Sequence, residues 1–200
     1  MRAQKPRGSD LRTGQARFTA NSARSSDPQW NSTARSASGH VKSYLRAGPA
    51  ARRRDTVTRY LLDVNVLIAL IDPAHVQHDR AHEWFGAVGN HAWATCPLTQ
   101  NGVLRIVGSS RYPSSPGSPG AVAEILSVVI ALGGHEFWRD GVSLLDAGLV
   151  DGARLLDSAQ VTDSYLLALA AAHGGKLATF DRRLVADAVR GGAQALHLIP

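Results

Sequence analysis

The sequence predicts an α/β fold in which helices cover both faces of a parallel sheet. Short apolar runs alternate along the chain with longer segments whose apolar residues recur at helical spacing. Short strands that are separated by helices are typical of a parallel sheet that is covered on both faces. Apolar residues make up 44% of the 200 residues and charged residues 19%, which is the balance of a globular domain.

The elements of this fold follow in chain order from residue 60. A short apolar strand ends at Asp63, and the apolar positions over 64–71 predict a helix directly after it. The next predictions are a helix over 79–88, a strand over 91–96, a helix to 107 with Thr99 as its N-cap, a helix over 121–132 and a strand over 136–138. Short helical pieces over 146–156 follow, then a helix that Thr162 caps and that ends at His173, a strand over 176–180 and a last strand over 196–198.

The composition changes sharply near residue 58. Residues 1–58 carry 12 Lys and Arg against 3 acids, whereas residues 59–200 carry 10 against 13. The first segment has no apolar period, so it is predicted to be a disordered basic tail, and residues 59–200 are predicted to form the folded domain. Three interpretations of the tail stay open: a basic arm that binds nucleic acid, a targeting segment, or upstream sequence translated from too early a start.

Composition excludes several classes of protein. Cys96 is the only cysteine, which rules out an intramolecular disulfide framework and a cysteine-rich zinc site. No apolar run reaches the length of about 18 residues that a membrane-spanning helix needs, so no membrane association is expected.

Three carboxylates fall in places that a parallel sheet brings together. Asp63 and Asp181 each follow a predicted strand, and Asp163 lies in the first turn of a predicted helix. Because the carboxyl ends of parallel strands share one edge, these acids can converge in a cleft there. Clustered carboxylates repel one another unless a cation lies between them, and oxygen ligands favour Mg²⁺ or Mn²⁺, which assist phosphodiester hydrolysis.

A structural interpretation of the same acids competes with this one. An aspartate at a strand end or in a first helical turn stabilises the N-terminus of a helix. Asp63 fits that interpretation least well, because it lies between Leu62 and Val64 in an apolar segment, where a lone carboxylate is costly.

Four segments in order resemble the motifs of PIN-domain ribonucleases, in particular the VapC-type toxins of bacterial type II toxin–antitoxin systems. The resemblance covers about residues 59–199. The segments are Leu61–Leu70, Thr95–Gly102 with Arg105, Val161–Ala170 and Leu177–Asp181.

The resemblance implies a PIN-like three-layer sandwich and a Mg²⁺-dependent endoribonuclease that arrests growth in the cytoplasm. Asp63 and Asp163 would be the principal metal ligands and Asp181 would complete the catalytic cluster, with Mn²⁺ able to replace Mg²⁺. Implied partners are an RNA substrate, a small cognate antitoxin and a second copy in a homodimer. Gln100 stands where the family often has a glutamate, which keeps open an alternative: a catalytically weakened PIN-like module that binds RNA or a partner.

Two other enzyme classes fit less well. A haloacid-dehalogenase-type phosphatase needs a second aspartate two residues after the first, and Asn65 occupies that position. A response-regulator receiver needs an acidic pair on an earlier strand, and no folded segment is predicted before Asp63.

Several further residues have open interpretations. His75, His78 and His82 have a spacing that permits zinc binding but is more typical of surface residues, and a phosphate or antitoxin contact is a third possibility. Arg105, Arg182 and Arg183 could meet RNA phosphates or form ordinary ion pairs.

The apolar helix over 121–132 predicts a dimer interface that includes Val129. The aromatic residues Trp84, Phe85, Trp93 and Trp138 are expected in the core.

Overall fold

The computed structural model describes residues 57–200. The predicted tail therefore lies outside the described residues apart from Val57 and Thr58, and its disorder stays a prediction. No helix in the described range is long and apolar enough to cross a membrane.

A five-stranded sheet forms the centre of the domain, and all of its pairings are parallel. The spatial order is β3-β2-β1-β4-β5. The strands are β1 (Tyr60–Leu62), β2 (Trp93–Thr95), β3 (His135–Phe137), β4 (Lys176–Thr179) and β5 (Leu196–Leu198). The predicted α/β fold with a short-stranded parallel sheet is confirmed.

Six α-helices connect the strands of the described range. They are α1 (Val64–Ile71), α2 (His78–Ala87), α3 (Pro97–Val107), α4 (Pro119–Ile130), α5 (Val161–Ala172) and the unpredicted α6 (Gly192–Ala195). The prediction that Thr99 is an N-cap is wrong, because α3 already begins at Pro97. The Thr99 hydroxyl instead accepts the backbone N–H of Cys96 at 3.0 Å inside the first turn.

The two faces of the sheet carry separate apolar cores, because successive strand residues point to opposite faces. Leu62 of β1 packs in the core that α1, α2, α3 and α4 cover. The adjacent Leu61 packs in the core that α5 and the segment after β3 cover. The predicted core aromatics are all buried: Trp84, Phe85, Trp93 and Trp138.

Helices α1 and α3 approach each other closely at a glycine. A Cβ atom at Gly102 would lie 2.7 Å from Cγ2 of Val64, a distance that real Cβ atoms do not show. Val64 is the first residue of α1, so α3 packs closely against the start of that helix, next to Asp63.

Helix α4 contributes to the core through the side that contains Val129, the residue predicted to lie in a dimer interface. Val122, Leu126 and Val129 are buried against the other helices on that side of the sheet. Val129 is only 7% exposed, so its assignment to a dimer interface is wrong, whereas the adjacent Val128 is 47% exposed. The homodimer itself stays a prediction.

We expect opposite outcomes for a glutamate at these two neighbouring positions. Val129→Glu should destabilise the fold by about 3–5 kcal/mol, because it buries an uncompensated charge. Val128→Glu should leave the fold intact, since the side chain reaches solvent. Circular dichroism with thermal melting checks both variants. A stable, folded Val129→Glu protein would contradict the placement of α4.

Candidate active site

The three predicted acids lie at the carboxyl edge of the sheet, where the strand order changes direction. The chain proceeds from β1 to β2 on one side, while β4 pairs with β1 on the other. Ligands of open α/β sheets bind at such a switch point. Leu62 is in register with Ala178, and the backbone N–H of Asp63 donates to the Ala178 carbonyl at 3.1 Å. Asp63 therefore stands at the end of β1 and at the N-cap of α1.

The carboxylate of Asp63 is buried and held by a threonine of the neighbouring strand. The residue is 9% exposed, and its Oδ2 accepts a hydrogen bond from Oγ1 of Thr179 at 2.8 Å. Burial raises the pKa of Asp63 above its ordinary value, and the charge of Asp181 adds to that shift. The Thr179 hydroxyl and the first backbone N–H groups of α1 stabilise the ionised form and so oppose the shift.

Thr179 also positions Asp181. The backbone N–H of Asp181 donates to the same Thr179 Oγ1 at 3.1 Å. The Asp181 Oδ1 in turn accepts the backbone N–H of Arg183 at 2.8 Å, which fixes the turn after β4. One buried hydroxyl thus links both strand-end acids. This role of Thr179 was not predicted, although a hydroxyl two residues before an acid at the end of a strand is a signal that the sequence contains.

Asp163 completes the group from α5. It lies in the first turn of that helix and is partly buried. Burial raises the pKa of Asp163, and the charges of Asp63 and Asp181 raise it further. Asp63 and Asp181 therefore lie near enough to Asp163 for their charges to disfavour its ionisation.

A hydrated divalent cation fits this arrangement better than a cation that protein atoms enclose. Within residues 57–200, no group of three or more His, Cys, Asp or Glu side chains has the arrangement of a ready-made metal site. Mg²⁺ does not require one, because it usually retains several waters and binds through one or two carboxylates. The donors present are oxygens, the ligands that hard cations prefer, and a cation would offset the burial and the neighbouring charges that raise the pKa values of Asp63 and Asp163.

Gln100 hydrogen-bonds to a strand residue and to none of these three carboxylates. Its Nε2 donates to Oγ1 of the buried Thr95 at 2.9 Å. That oxygen also lies 2.8 Å from Nε2 of His135 on β3. Because Thr95 ends β2, the side chain at position 100 is part of a polar chain that runs from α3 to the edge strand.

The histidines after α1 have a structural role. Nδ1 of His78 lies 2.8 Å from the Ala69 carbonyl, and Nε2 of His82 lies 3.0 Å from the Leu70 carbonyl. Both carbonyls belong to the last turn of α1, whose carbonyl groups lack partners within the helix. These contacts explain the spacing of the two histidines without zinc.

The family of the chain follows from its match to a known domain. The family model of the PIN domain matches residues 60–189, so the chain belongs to the PIN-domain family. The match contains the whole carboxylate cluster. PIN-domain ribonucleases generally depend on a divalent metal.

Several relatives of this chain within the PIN-domain family are ribonucleases named VapC. Ribonuclease VapC44 of Mycobacterium tuberculosis is 46% identical over 136 residues, which are 68% of this chain and 95% of the relative. Ribonuclease VapC39 of the same organism is 40% identical over 136 residues, with 98% of its length covered. Ribonuclease VapC38 is 44% identical over 124 residues, which are 60% of this chain and 84% of that protein.

We expect Thr179→Val to reduce activity while it preserves the fold. Valine keeps the shape but removes the donor to Asp63 and the acceptor of the Asp181 N–H group. The pKa of Asp63 should rise further, so cleavage should fall by about tenfold at neutral pH and its pH profile should shift to higher pH. Rate measurements between about pH 5 and 9 check this.

Thr179→Ser provides the control for that prediction, because it restores the hydroxyl. It should recover most of the activity and the wild-type pH profile. An unshifted profile in Thr179→Val would contradict a positioning role for this hydroxyl.

The raised carboxyl pKa values also predict how stability depends on pH. In chelator, the folded state holds the protons of Asp63 and Asp163 more tightly than the unfolded chain does. The stability from these groups is complete below the ordinary carboxyl pKa of about 4 and is lost as the pH rises through the folded values. Asp63→Asn should therefore melt a few degrees higher than wild type at pH 7 in chelator, roughly 2–4 °C per kcal/mol.

Differential scanning calorimetry from about pH 4 to 8 measures this difference. The lowered pKa values of His75, His135 and His197 act in both proteins and cancel in the comparison. The exposed Asp187 supplies the control, since Asp187→Asn should not change the melting temperature. A lower melting temperature for Asp63→Asn would show that the buried charge is stabilising.

Proposed function

We propose that this chain is a Mg²⁺-dependent endoribonuclease and the toxin of a type II toxin–antitoxin pair. Asp63, Asp163 and Asp181 would form its catalytic and metal-binding cluster. The proposal is carried by one observation: Asp63 and Asp181 follow neighbouring strands at the switch point of a PIN-domain sheet, and their charges add to burial in raising the pKa of Asp163. The relatives named ribonuclease VapC support the reaction class.

The chemistry follows from the oxygens present. When bound, a divalent ion supplies charge neutralisation at the scissile phosphate and a lower pKa for water. Asp63 is preorganised for this task, because Thr179 and the start of α1 fix its carboxylate before any ligand arrives. The cluster gains a second carboxylate from Asp163 on α5 and a third from Asp181 in the turn after β4. The absence of sulfur and imidazole from this donor set favours Mg²⁺, with Mn²⁺ as a substitute.

The biological setting that we propose rests on the same relatives. RNA is the substrate, the site of action is the cytoplasm, and a small cognate antitoxin silences the enzyme. The active form is a homodimer, and the basic residues 1–58 lie outside its catalytic domain, residues 59–200.

One observation favours a second candidate, a catalytically weakened module that binds RNA or a partner. The Gln100 amide brings no charge to the cluster and hydrogen-bonds to Thr95. Cleavage by the wild-type chain separates the two candidates, because a weakened module would bind RNA without hydrolysing it.

The test is RNA cleavage by the purified full chain in Mg²⁺, in Mn²⁺ and in chelator. Asp63→Asn and Asp163→Asn should each reduce the rate about a hundredfold or more, which corresponds to about 2.7 kcal/mol of transition-state stabilisation. Each variant removes a charged oxygen from the cluster. Asp187→Asn should cleave like wild type, because this carboxylate is exposed.

A second readout is independent of activity. Mg²⁺ should raise the melting temperature of the wild type, and the rise should be smaller in Asp63→Asn. Wild-type cleavage rates in a folded Asp63→Asn protein would overturn the assignment of the site.

A further inference from the structure

Two exposed arginines flank the acid cluster along the carboxyl edge of the sheet. Arg139 follows β3 and Arg182 follows β4, and both are exposed. Within residues 57–200, neither side chain forms an ion pair or a hydrogen bond. Their charges are therefore available to a ligand.

We propose that a single RNA strand crosses this edge from the end of β3 to the end of β4. Arg139 binds a phosphate on one side of the acid cluster, and Arg182 binds a phosphate on the other. This path rests on the proposed function and adds to it a substrate-binding residue, Arg139, on the far side of β2.

The spacing of the strands sets the distance between the arginines and the acids. Neighbouring strands lie about 4.8 Å apart, so the end of β3 is about 10 Å from the end of β1, where Asp63 lies. Arg182 is next to Asp181 on the opposite side. Arg139 thus lies within a nucleotide or two of the cluster, and a strand that spans both arginines passes over the three carboxylates.

The backbone of Arg139 is anchored on both sides while its side chain is exposed. The preceding Trp138 is buried, and its N–H donates to the Thr95 carbonyl at 2.8 Å. The following Asp140 accepts a hydrogen bond from the Tyr165 hydroxyl on α5 at 2.8 Å. Because the neighbouring residues are held, binding a phosphate has to order only the Arg139 side chain, whose guanidinium can make two hydrogen bonds to it.

The charge balance of the domain favours cations beside the acid cluster. Residues 59–200 carry 10 Lys and Arg against 13 acids, and three of those acids lie where the phosphate must bind. An RNA backbone would be repelled from this edge unless positive charges flank the cluster.

The other unpaired arginines of the described range lie elsewhere. Arg105 is eight residues into α3, which begins at the carboxyl edge, and this places it about 12 Å along the helix. Arg111 is in the loop after α3 ends, near Tyr112, which donates to Asp72 after the far end of α1. Arg111 is exposed and unpaired like Arg139, so it is a matched control.

The experiment compares Arg139→Gln and Arg111→Gln in the full chain. Fluorescence anisotropy with two labelled single-stranded RNAs of unrelated sequence, in chelator, measures binding from about 50 to 200 mM salt. We expect Arg139→Gln to weaken binding of both RNAs about three- to tenfold and to reduce the slope of log K against log salt by about 0.7, the value for one phosphate on a single strand. Arg111→Gln should match wild type. Residues 1–58 are identical in every variant, so their contribution to RNA binding cancels in the comparison.

Steady-state cleavage in Mg²⁺ supplies the second readout. Loss of a phosphate contact away from the reacting bond should raise KM and leave kcat nearly unchanged. If Arg139→Gln keeps the wild-type slope and KM, the RNA does not cross the β3 side and the path is wrong. If Arg139→Gln weakens binding but the wild-type chain cleaves no RNA with any divalent ion, the path stands and the proposed function fails.

Discussion

The buried carboxylate of Asp63 is the constraint on which the rest of the site depends. A carboxylate at the end of an apolar strand is costly unless hydrogen bonds compensate for the lost water. Here the Thr179 hydroxyl supplies that compensation across the β1–β4 pair, and the same oxygen receives the Asp181 N–H group. The parallel register of the two central strands therefore determines the positions of two acids at once, and a shift of one residue would turn Thr179 to the other face.

Helix α1, which starts directly after Asp63, is held at both of its ends. The rings of His78 and His82 contact the backbone carbonyls of its last turn. Beyond its far end, Asp72 accepts a hydrogen bond from Tyr112 of the loop that follows α3. Because the helix is fixed at both ends, its first N–H groups stay beside Asp63 and stabilise the ionised carboxylate, while burial raises the pKa of that carboxyl.

The order of the elements and the three acids could be predicted from the sequence, because both follow from local patterns. Apolar periodicity locates strands and helices, and Asp63 and Asp181 stand out at strand ends. The role of Thr179 could not be predicted in this way, since it depends on which strands are neighbours. Val129 was placed in an interface because apolarity around a helix does not reveal which side the core takes. Gln100 could be identified as the residue that stands where the family often has a glutamate. Its hydrogen bond to Thr95 is a tertiary contact, which residue spacing does not predict.

Gly102 affects which residues a genetic screen for loss of activity would identify. Any side chain there would collide with Val64, the residue next to Asp63. Displacing α3 would tilt the start of α1 and move the Asp63 carboxylate. A screen for inactive variants would therefore recover glycine substitutions at 102 beside the aspartates, and only a structural readout would distinguish damaged geometry from missing chemistry.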